Sequence, residues 1–322
     1  MSTFEFDVVA LGELLIDFTE NGESPQGNPL LEANPGGAPC NVLAMLSRLG
    51  KKTAFIGKIG KDSFGRQLRE AVRDCGINVR GLVEDEKIHT TLAFVHTLPD
   101  GDREFSFFRD PGADMMLRRE EIAEDLIRGA RVFHFGTLSS THEPAREATR
   151  YALRTAQESG CLISFDPNLR EPLWGSMEDA RREIEYGLTA CDILKISDNE
   201  VEFLTGTTDY EKGVAMLRGR FPLPLVFVTL GKAGSMAFYR DLTVKAEPFP
   251  QEHTIETTGA GDTFAACALN YILEHGKDDL TEAQLRELLT FANAGASLIT
   301  TRKGALKVMP TAEEIWGLIR ER

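Results

Sequence analysis

Residues 255–276 read IETTGAGDTFAACALNYILEHG, an unusual way to begin a helix. Two threonines and two glycines crowd into 257–261, Asp262 follows, and a long apolar-periodic run comes after. Gly259, Ala260 and Gly261 can bring successive backbone N–H groups to a helix N-terminus, making a concave anion site that needs no side chain. Asp262 then stands where a phosphoryl group in transfer would carry its charge, placed to orient or accept the proton of an attacking hydroxyl. Taken alone, these residues also read as a plain helix start with an acid in its first turn, favoured by the macrodipole.

Upstream, short apolar runs alternate with amphipathic stretches. FDVVALG, TAFIGKIG, RVFHFGTLS, CLISFD, DILKIS and LVFVTLG are nearly continuous in Val, Ile, Leu and Phe and end in Gly, Ser or Asp, the pattern of strands buried on both faces. FGRQLREAVRDCG and PAREATRYALRTAQESG read as helices, and Gly50, Gly76, Gly160 and Gly276 suit the position just past a helix end. The order predicts an α/β chain with a mostly parallel central sheet and helices on both faces, whose ligands bind beyond the carboxyl ends of the strands. One stretch breaks the alternation. TTLAFVHTLPDGDREFSFFR, residues 90–109, is two strand-like runs joined by Pro99-Asp100-Gly101-Asp102, a hairpin with turn chemistry at its centre. With residues 18–32 it is expected to form a small sheet acting as a lid, at about 18–32 and 90–110, on a single domain spanning 1–322.

The 322 residues are 42% hydrophobic and carry a net charge of -14, with no Lys/Arg-rich block, which argues against binding nucleic acid or an anionic membrane by bulk charge. The N-terminal stretch lacks a basic region and is interrupted by Asp7, Glu13 and Asp17, so it does not read as a signal peptide. Apolar runs are too short to span a bilayer. Five cysteines without a C-x-x-C pair suit a cytosolic, cytoplasmic protein with reduced thiols. The six histidines fit no metal spacing. No Gly-Lys pair has the neighbours of a P-loop, and the first strand ends ALGELLID in place of G-x-G-x-x-G. Phosphate must be held some other way.

A second stretch, NPGGAPCNVLAMLSRLG at 34–50, places Gly36 and Gly37 before a helix with Pro39 and Asn41 in its first turn. A double glycine lets a ligand rest on the backbone, and Asn41 offers both a donor and an acceptor. Together the two stretches resemble the two signature regions of the ribokinase-like (PfkB) carbohydrate kinases, and the resemblance covers essentially the full chain. It implies a three-layer α/β/α fold with a small β-sheet lid, ATP and Mg²⁺ as requirements, and a homodimer formed through the lid.

Further segments are similar to the fructokinase branch. Asp17 in GELLIDF matches an acid that accepts sugar hydroxyls. Alternation puts Phe105, Phe107 and Arg109 on one face of the second hairpin strand, and FFRDPGAD is similar to a lid segment that closes over the sugar. In DPNLREPLW, Pro167 holds Asp166 extended, and the resemblance gives Asn168 and Arg170 to substrate and phosphate. In SDNEVEFLTG, Ser197 and Glu200 form a capping box, while Asn199 and Glu202 match the motif that organises Mg²⁺ and its waters. Thr229, Gly231 and Gly234 in VTLGKAGS, with Lys195 and Asn293, are the implied nucleotide contacts. Glu256 and Val308 stand where the family carries Asp and a small polar residue around a K⁺ site, so K⁺ is expected to act weakly. The expected reaction is phosphorylation of D-fructose to fructose 6-phosphate, with Asp262 as base and the 259–261 amides and Arg170 around the phosphoryl group. The alternatives are a 2-keto-3-deoxygluconate kinase of the same fold and a non-catalytic sugar or nucleotide sensor, which has no need of the base.

Overall fold

The computed structural model describes the backbone of residues 4–97 and 103–322, and their side chains apart from 96–97 and 103–105. The turn expected at Pro99–Asp102 and the side chain of Phe105 lie outside the described residues. The first half of the chain runs β1 (Phe6–Leu11), β2 (Leu15–Glu23), β3 (Pro29–Gly36), α1 (Ala38–Arg48), β4 (Thr53–Gly60), α2 (Ser63–Asp74), β5 (Asn78–Asp85), β6 (Leu92–Thr97) and β7 (Arg103–Phe108). It continues through α3 (Glu124–Arg128), β8 (Ala130–Phe135), α4 (Ala145–Glu158), β9 (Leu162–Phe165), α5 (Met177–Leu188), β10 (Ile193–Ser197), α6 (Asp198–Thr205) and α7 (Tyr210–Arg218). The rest comprises β11 (Leu225–Thr229), β12 (Ser235–Tyr239), β13 (Leu242–Ala246), α8 (Ala260–His275), α9 (Glu282–Ile299) and α10 (Ala312–Arg320).

Among the described residues, nine strands form one sheet in the order β13-β12-β11-β10-β9-β8-β1-β4-β5. From β11 to β5 every neighbouring pair is parallel, and β12 and β13 add an antiparallel edge. Alternate residues of β1 point to opposite faces and into separate apolar cores. Val8 and Ala10 join residues of α1, α2, α8 and α9, whereas Val9 and Leu11 join residues of α3, α4 and α5. The sequence of β1 therefore has no polar face to offer, and three layers result.

A second sheet of four strands, β3-β2-β6-β7, stands apart from the first. The antiparallel β6–β7 pair is the hairpin read from residues 90–109, and β2 and β3 extend the other segment to residues 15–36. β5, β12 and β13 were not among the strands read from the sequence. In β13 buried Val244 and Ala246 alternate with exposed Thr243 and Lys245, the pattern of an edge strand with one wet face. Gly50, Gly76, Gly160 and Gly276 all adopt positive φ just past their helices.

Candidate active site

A cleft of about 840 Å³ opens at the carboxyl ends of the large sheet's strands and is roofed by Leu15, Asp17, Val95 and Phe107 of the small sheet. The start of α8 enters it. Gly259 caps this helix in the left-handed conformation (φ 80°), and Thr263 N–H closes the first helical bond onto its carbonyl at 2.8 Å. A helix start leaves first-turn N–H groups without a carbonyl one turn back. Ala260 N–H turns to the Thr257 carbonyl at 3.3 Å. Gly259, Gly261 and Asp262 line the cleft, and Ala260 does not. A β-carbon on Gly261 would come within 3.0 Å of Lys195 Nζ, so glycine lets an ammonium sit against the turn.

Asp262 is buried, and its Oδ2 accepts a 2.8 Å hydrogen bond from the Asn41 side-chain amide. Burial pushes its carboxyl up to about 6; the Asn41 bond opposes this, the Asp166 charge adds to it, and Lys195 and Arg170 pull it down. Asn41 Oδ1 is buried and has no partner among the described residues. Asp17 is pushed up to about 7 by burial and by the carboxylates of Glu256 and Asp262, against the pull of Arg170. Its Oδ2 lies where a β-carbon on Gly36 would stand, at 2.2 Å. Gly36 is therefore not itself in the cleft wall; it makes room for Asp17. Gly37 does line the cleft, and at φ 133° a β-carbon there would meet the Glu13 carbonyl at 2.5 Å.

On the opposite wall, Asn168, Arg170, Lys195, Asn199, Thr229 and Gly231 all line the cleft. Asn168 adopts φ 48°, a left-handed turn that Asn tolerates, directly after Pro167. Lys195 pairs with Asp166 at 3.0 Å. Burial alone would lower the lysine, but Asp166, Glu200 and Asp262 outweigh it and hold its pKa above the ordinary value.

Besides Ala260 and Gly36, four expected contacts stand elsewhere. Arg109 follows the end of β7, is buried, and does not line the cleft. It donates to Asp114, to Thr141 Oγ1 at 3.0 Å and to the Leu138 carbonyl at 2.9 Å, because the chain leaves strand geometry at Phe108 and strict alternation no longer directs the next side chain. Gly234 lies outside the cleft and is required by β13, since a β-carbon would strike the Ala246 carbonyl at 2.2 Å. Asn293 spends its amide on the Ala246 and Glu247 carbonyls and accepts from Ser235 Oγ, tying α9 to β12 and β13. Glu202 is exposed and away from the cleft. Only the first turn of α6 opens onto the site, so a residue one turn along the same face does not reach it.

Other site residues were not singled out from the sequence. Glu13, in the loop after β1, lines the cleft and accepts the Ala38 N–H at 2.8 Å at the start of α1; burial pushes it up to about 7. Glu200 closes the capping box on Ser197 and also accepts the Leu169 N–H at 2.7 Å, holding the 166–170 turn against α6. Beneath them His134 is buried against Ser164 Oγ at 3.0 Å, and burial followed by the Lys195 charge lowers it to about 3, a neutral ring. The signal for Glu13 and Asp166 was present, since Glu13 stands two residues after β1 and Asp166 directly after β9, both buried strands. For Glu200 the cap explained the residue too completely to suggest a second task.

Glu256 accepts the Gly304 N–H at 2.9 Å, and the Val308 carbonyl accepts from Arg302 at 2.8 Å. Both therefore have internal partners. No group of three or more His, Cys, Asp or Glu suited to a metal occurs among the described residues. Among the described residues, the cleft lining holds seven acids, Glu13, Asp17, Glu171, Asp198, Glu200, Glu256 and Asp262, against two cations, Arg170 and Lys195. A polyanion entering here must bring much of its own neutralising charge.

The family described as pfkB family carbohydrate kinase matches residues 5–312. The chain is 45% identical to probable fructokinase-2 of Arabidopsis thaliana over 94% of its own length and 93% of that protein. Among solved structures it is similar to the Xylella fastidiosa fructokinase with bound ATP, with a TM-score of 0.88, 30% identity and 98% of each chain covered. It is also similar to the Vibrio cholerae fructokinase bound to fructose, ADP and calcium, with a TM-score of 0.86, 30% identity, and 97% and 99% covered.

Proposed function

The chain belongs to the pfkB family of carbohydrate kinases, and we propose that it transfers the γ-phosphoryl group of ATP to the 6-hydroxyl of D-fructose. The observation that carries the mechanism is the Asn41–Asp262 hydrogen bond. It joins the start of α1, on the sugar side, to the start of α8, on the phosphate side.

Fructose lies between Asp17, Gly37, Asn41 and Asn168 under Phe107. Asn41 Oδ1 accepts a hydrogen bond from a sugar hydroxyl, and Asp17 accepts others. The 6-hydroxyl points at Asp262, which takes its proton as the oxygen attacks the γ-phosphorus and ADP leaves. The 259–261 turn and Arg170 face the phosphoryl oxygens, where preorganised donors lower the barrier. Thr229, Gly231 and Lys195 border the nucleotide.

Mg²⁺ fits this site as a hydrated ion carried by the nucleotide, given the acidic lining and sparse fixed ligands. Asn199, on the cleft lining, would meet its waters, and when bound the ion would neutralise charge on the β- and γ-phosphates. With Glu256 and the Val308 carbonyl engaged internally, K⁺ activates weakly; assays in Na⁺, K⁺ and tetramethylammonium salts at matched ionic strength check this, strong K⁺ dependence being the contrary result.

Fructose is favoured over ketodeoxygluconate because the acids around Asp17 oppose a carboxylate and Arg109 is spent elsewhere. The test is kcat/KM for D-fructose, ketodeoxygluconate, D-ribose and D-glucose with saturating Mg-ATP in a coupled ADP assay. Fructose should lead. A lead for ketodeoxygluconate would leave the kinase chemistry standing and overturn the sugar.

A further inference from the structure

Arg109 and Asp114 form a buried pair, with side chains 3% and 1% exposed and Nη2 at 2.7 Å from Oδ2. The carboxylate is shared: Arg109 Nε donates to Oδ2 at 2.8 Å, and Thr91 Oγ1 donates to Oδ1. Thr91 immediately precedes β6 and Arg109 immediately follows β7, so both legs of the hairpin converge on one acid. Arg109 also donates to the carbonyl of Leu138, which lines the cleft. Glu13, on the cleft floor, lies within the field of both charges. The guanidinium thus sits one residue's thickness behind the sugar wall, with its three nitrogens committed.

The cations that do line the cleft are committed as well. Lys195 is paired with Asp166, and Arg170, exposed at the cleft and donating to the Leu169 carbonyl, is the cation that the proposed reaction commits to the phosphoryl group. Among the described residues of the lining, a substrate carboxylate would meet acids and no cation beyond the paired Lys195 and the phosphoryl-facing Arg170, and an unpaired charge in such a site is strongly disfavoured.

We propose that Asp114 is a specificity-determining residue: by holding Arg109 behind the wall it withholds from the cleft the cation an acidic sugar would require, and so selects a neutral ketohexose. This deepens the fructose reading and rests on it. Asp114 touches neither substrate and acts through Arg109.

The probe is 2-keto-D-gluconate, which is D-fructose with C1 oxidised to a carboxylate, compared with D-fructose under saturating Mg-ATP. In the wild type kcat/KM should be at least about tenfold lower for the acid, the scale of one unmatched interaction of about 1.4 kcal/mol. Asp114→Asn keeps the shape and frees the guanidinium, and should narrow that ratio about tenfold or more. Adding Arg109→Met to Asp114→Asn should restore the wild-type ratio, because the gain depends on the released cation. General loosening of the hairpin would weaken both sugars together and would not be reversed by the second substitution.

A ratio unchanged in Asp114→Asn, or a gain that survives in the double variant, overturns the assignment of Asp114. Equal handling of the two sugars by the wild type overturns it without any variant, should Asp114→Asn fail to fold. Absence of fructose turnover in the wild type would instead overturn the fructose reading, and this proposal with it.

Discussion

Asp262 must be a carboxylate to accept a proton, yet it is placed where a carboxylate is costly. Burial raises its pKa from 3.8 to about 6, which brings it nearer the working pH and strengthens it as a base. The Asn41 amide, Lys195 and Arg170 keep it from rising further. The active, ionised form is present above about 6 and is lost as pH falls through that value. The kcat/KM profile between about pH 5 and 8 should therefore show an acid limb near 6, falling about tenfold per unit below it. Asp262→Asn should cut kcat by about 10² to 10⁴ while fructose and ATP still bind. Titration calorimetry beside the kinetics checks both halves; near-normal turnover in the variant would remove Asp262 from the mechanism. The place of this residue, in the first turn of α8 and on the cleft, was legible in GAGD, because glycines and an acid mark a helix start. What was not legible is the partner. Asn41 reads from the sequence as a sugar contact, and its bond to Asp262 joins positions no local pattern relates.

At the scale of elements, the start of α1 shows how backbone sets a site. Gly37 precedes the helix at φ 133°, packed on the Glu13 carbonyl, while the Glu13 side chain takes the Ala38 N–H. Glycine is needed twice over, for its dihedral and for the close approach. Gly37→Ala should shift Asn41 and lower kcat/KM for fructose at least about tenfold, since ångström displacements in a site cost that and more. KM for ATP, bound on the other wall, should change far less; equal losses on both substrates would contradict the placement. The elements themselves were legible wherever both faces are buried. FDVVAL and LVFVT leave no other reading, whereas β5 and β13 mix exposed with buried positions and look like loop to a search for continuous apolar runs. Arg109 was misplaced for a related reason. Alternation is a property of strands, and the strand ends one residue earlier.

Across the whole molecule the small sheet is held to the large one at two ends. At one, Thr91 and Arg109 meet on Asp114. At the other, Lys303, in the loop that Glu256 fastens through Gly304, reaches Glu32 at 3.2 Å, Asn21 Oδ1 at 2.9 Å and the Glu20 carbonyl at 3.2 Å. The Lys303 contacts are exposed and contribute only about 0–1 kcal/mol to stability. Their effect should appear in binding. Lys303→Ala should leave the thermal midpoint nearly unchanged and raise KM for fructose several-fold, because the roof that carries Asp17 loses one tether. A variant with reduced midpoint and unaltered KM would show the contact to be structural only. The two-sheet architecture could be inferred from one hairpin out of phase with the alternation. How it is fastened could not, since the fastening residues are scattered from Glu20 to Gly304.

The bond between Asn41 and Asp262 spans 221 positions of chain, and that distance has a temporal meaning. A ribosome releases α1 early and α8 among the last elements, and a domain generally folds as a unit. α1 and α8 bury their apolar faces in one core, so the α1 face stays uncovered until α8 has emerged. The proposed sugar contact and the proposed base therefore come together only when nearly the whole chain is available.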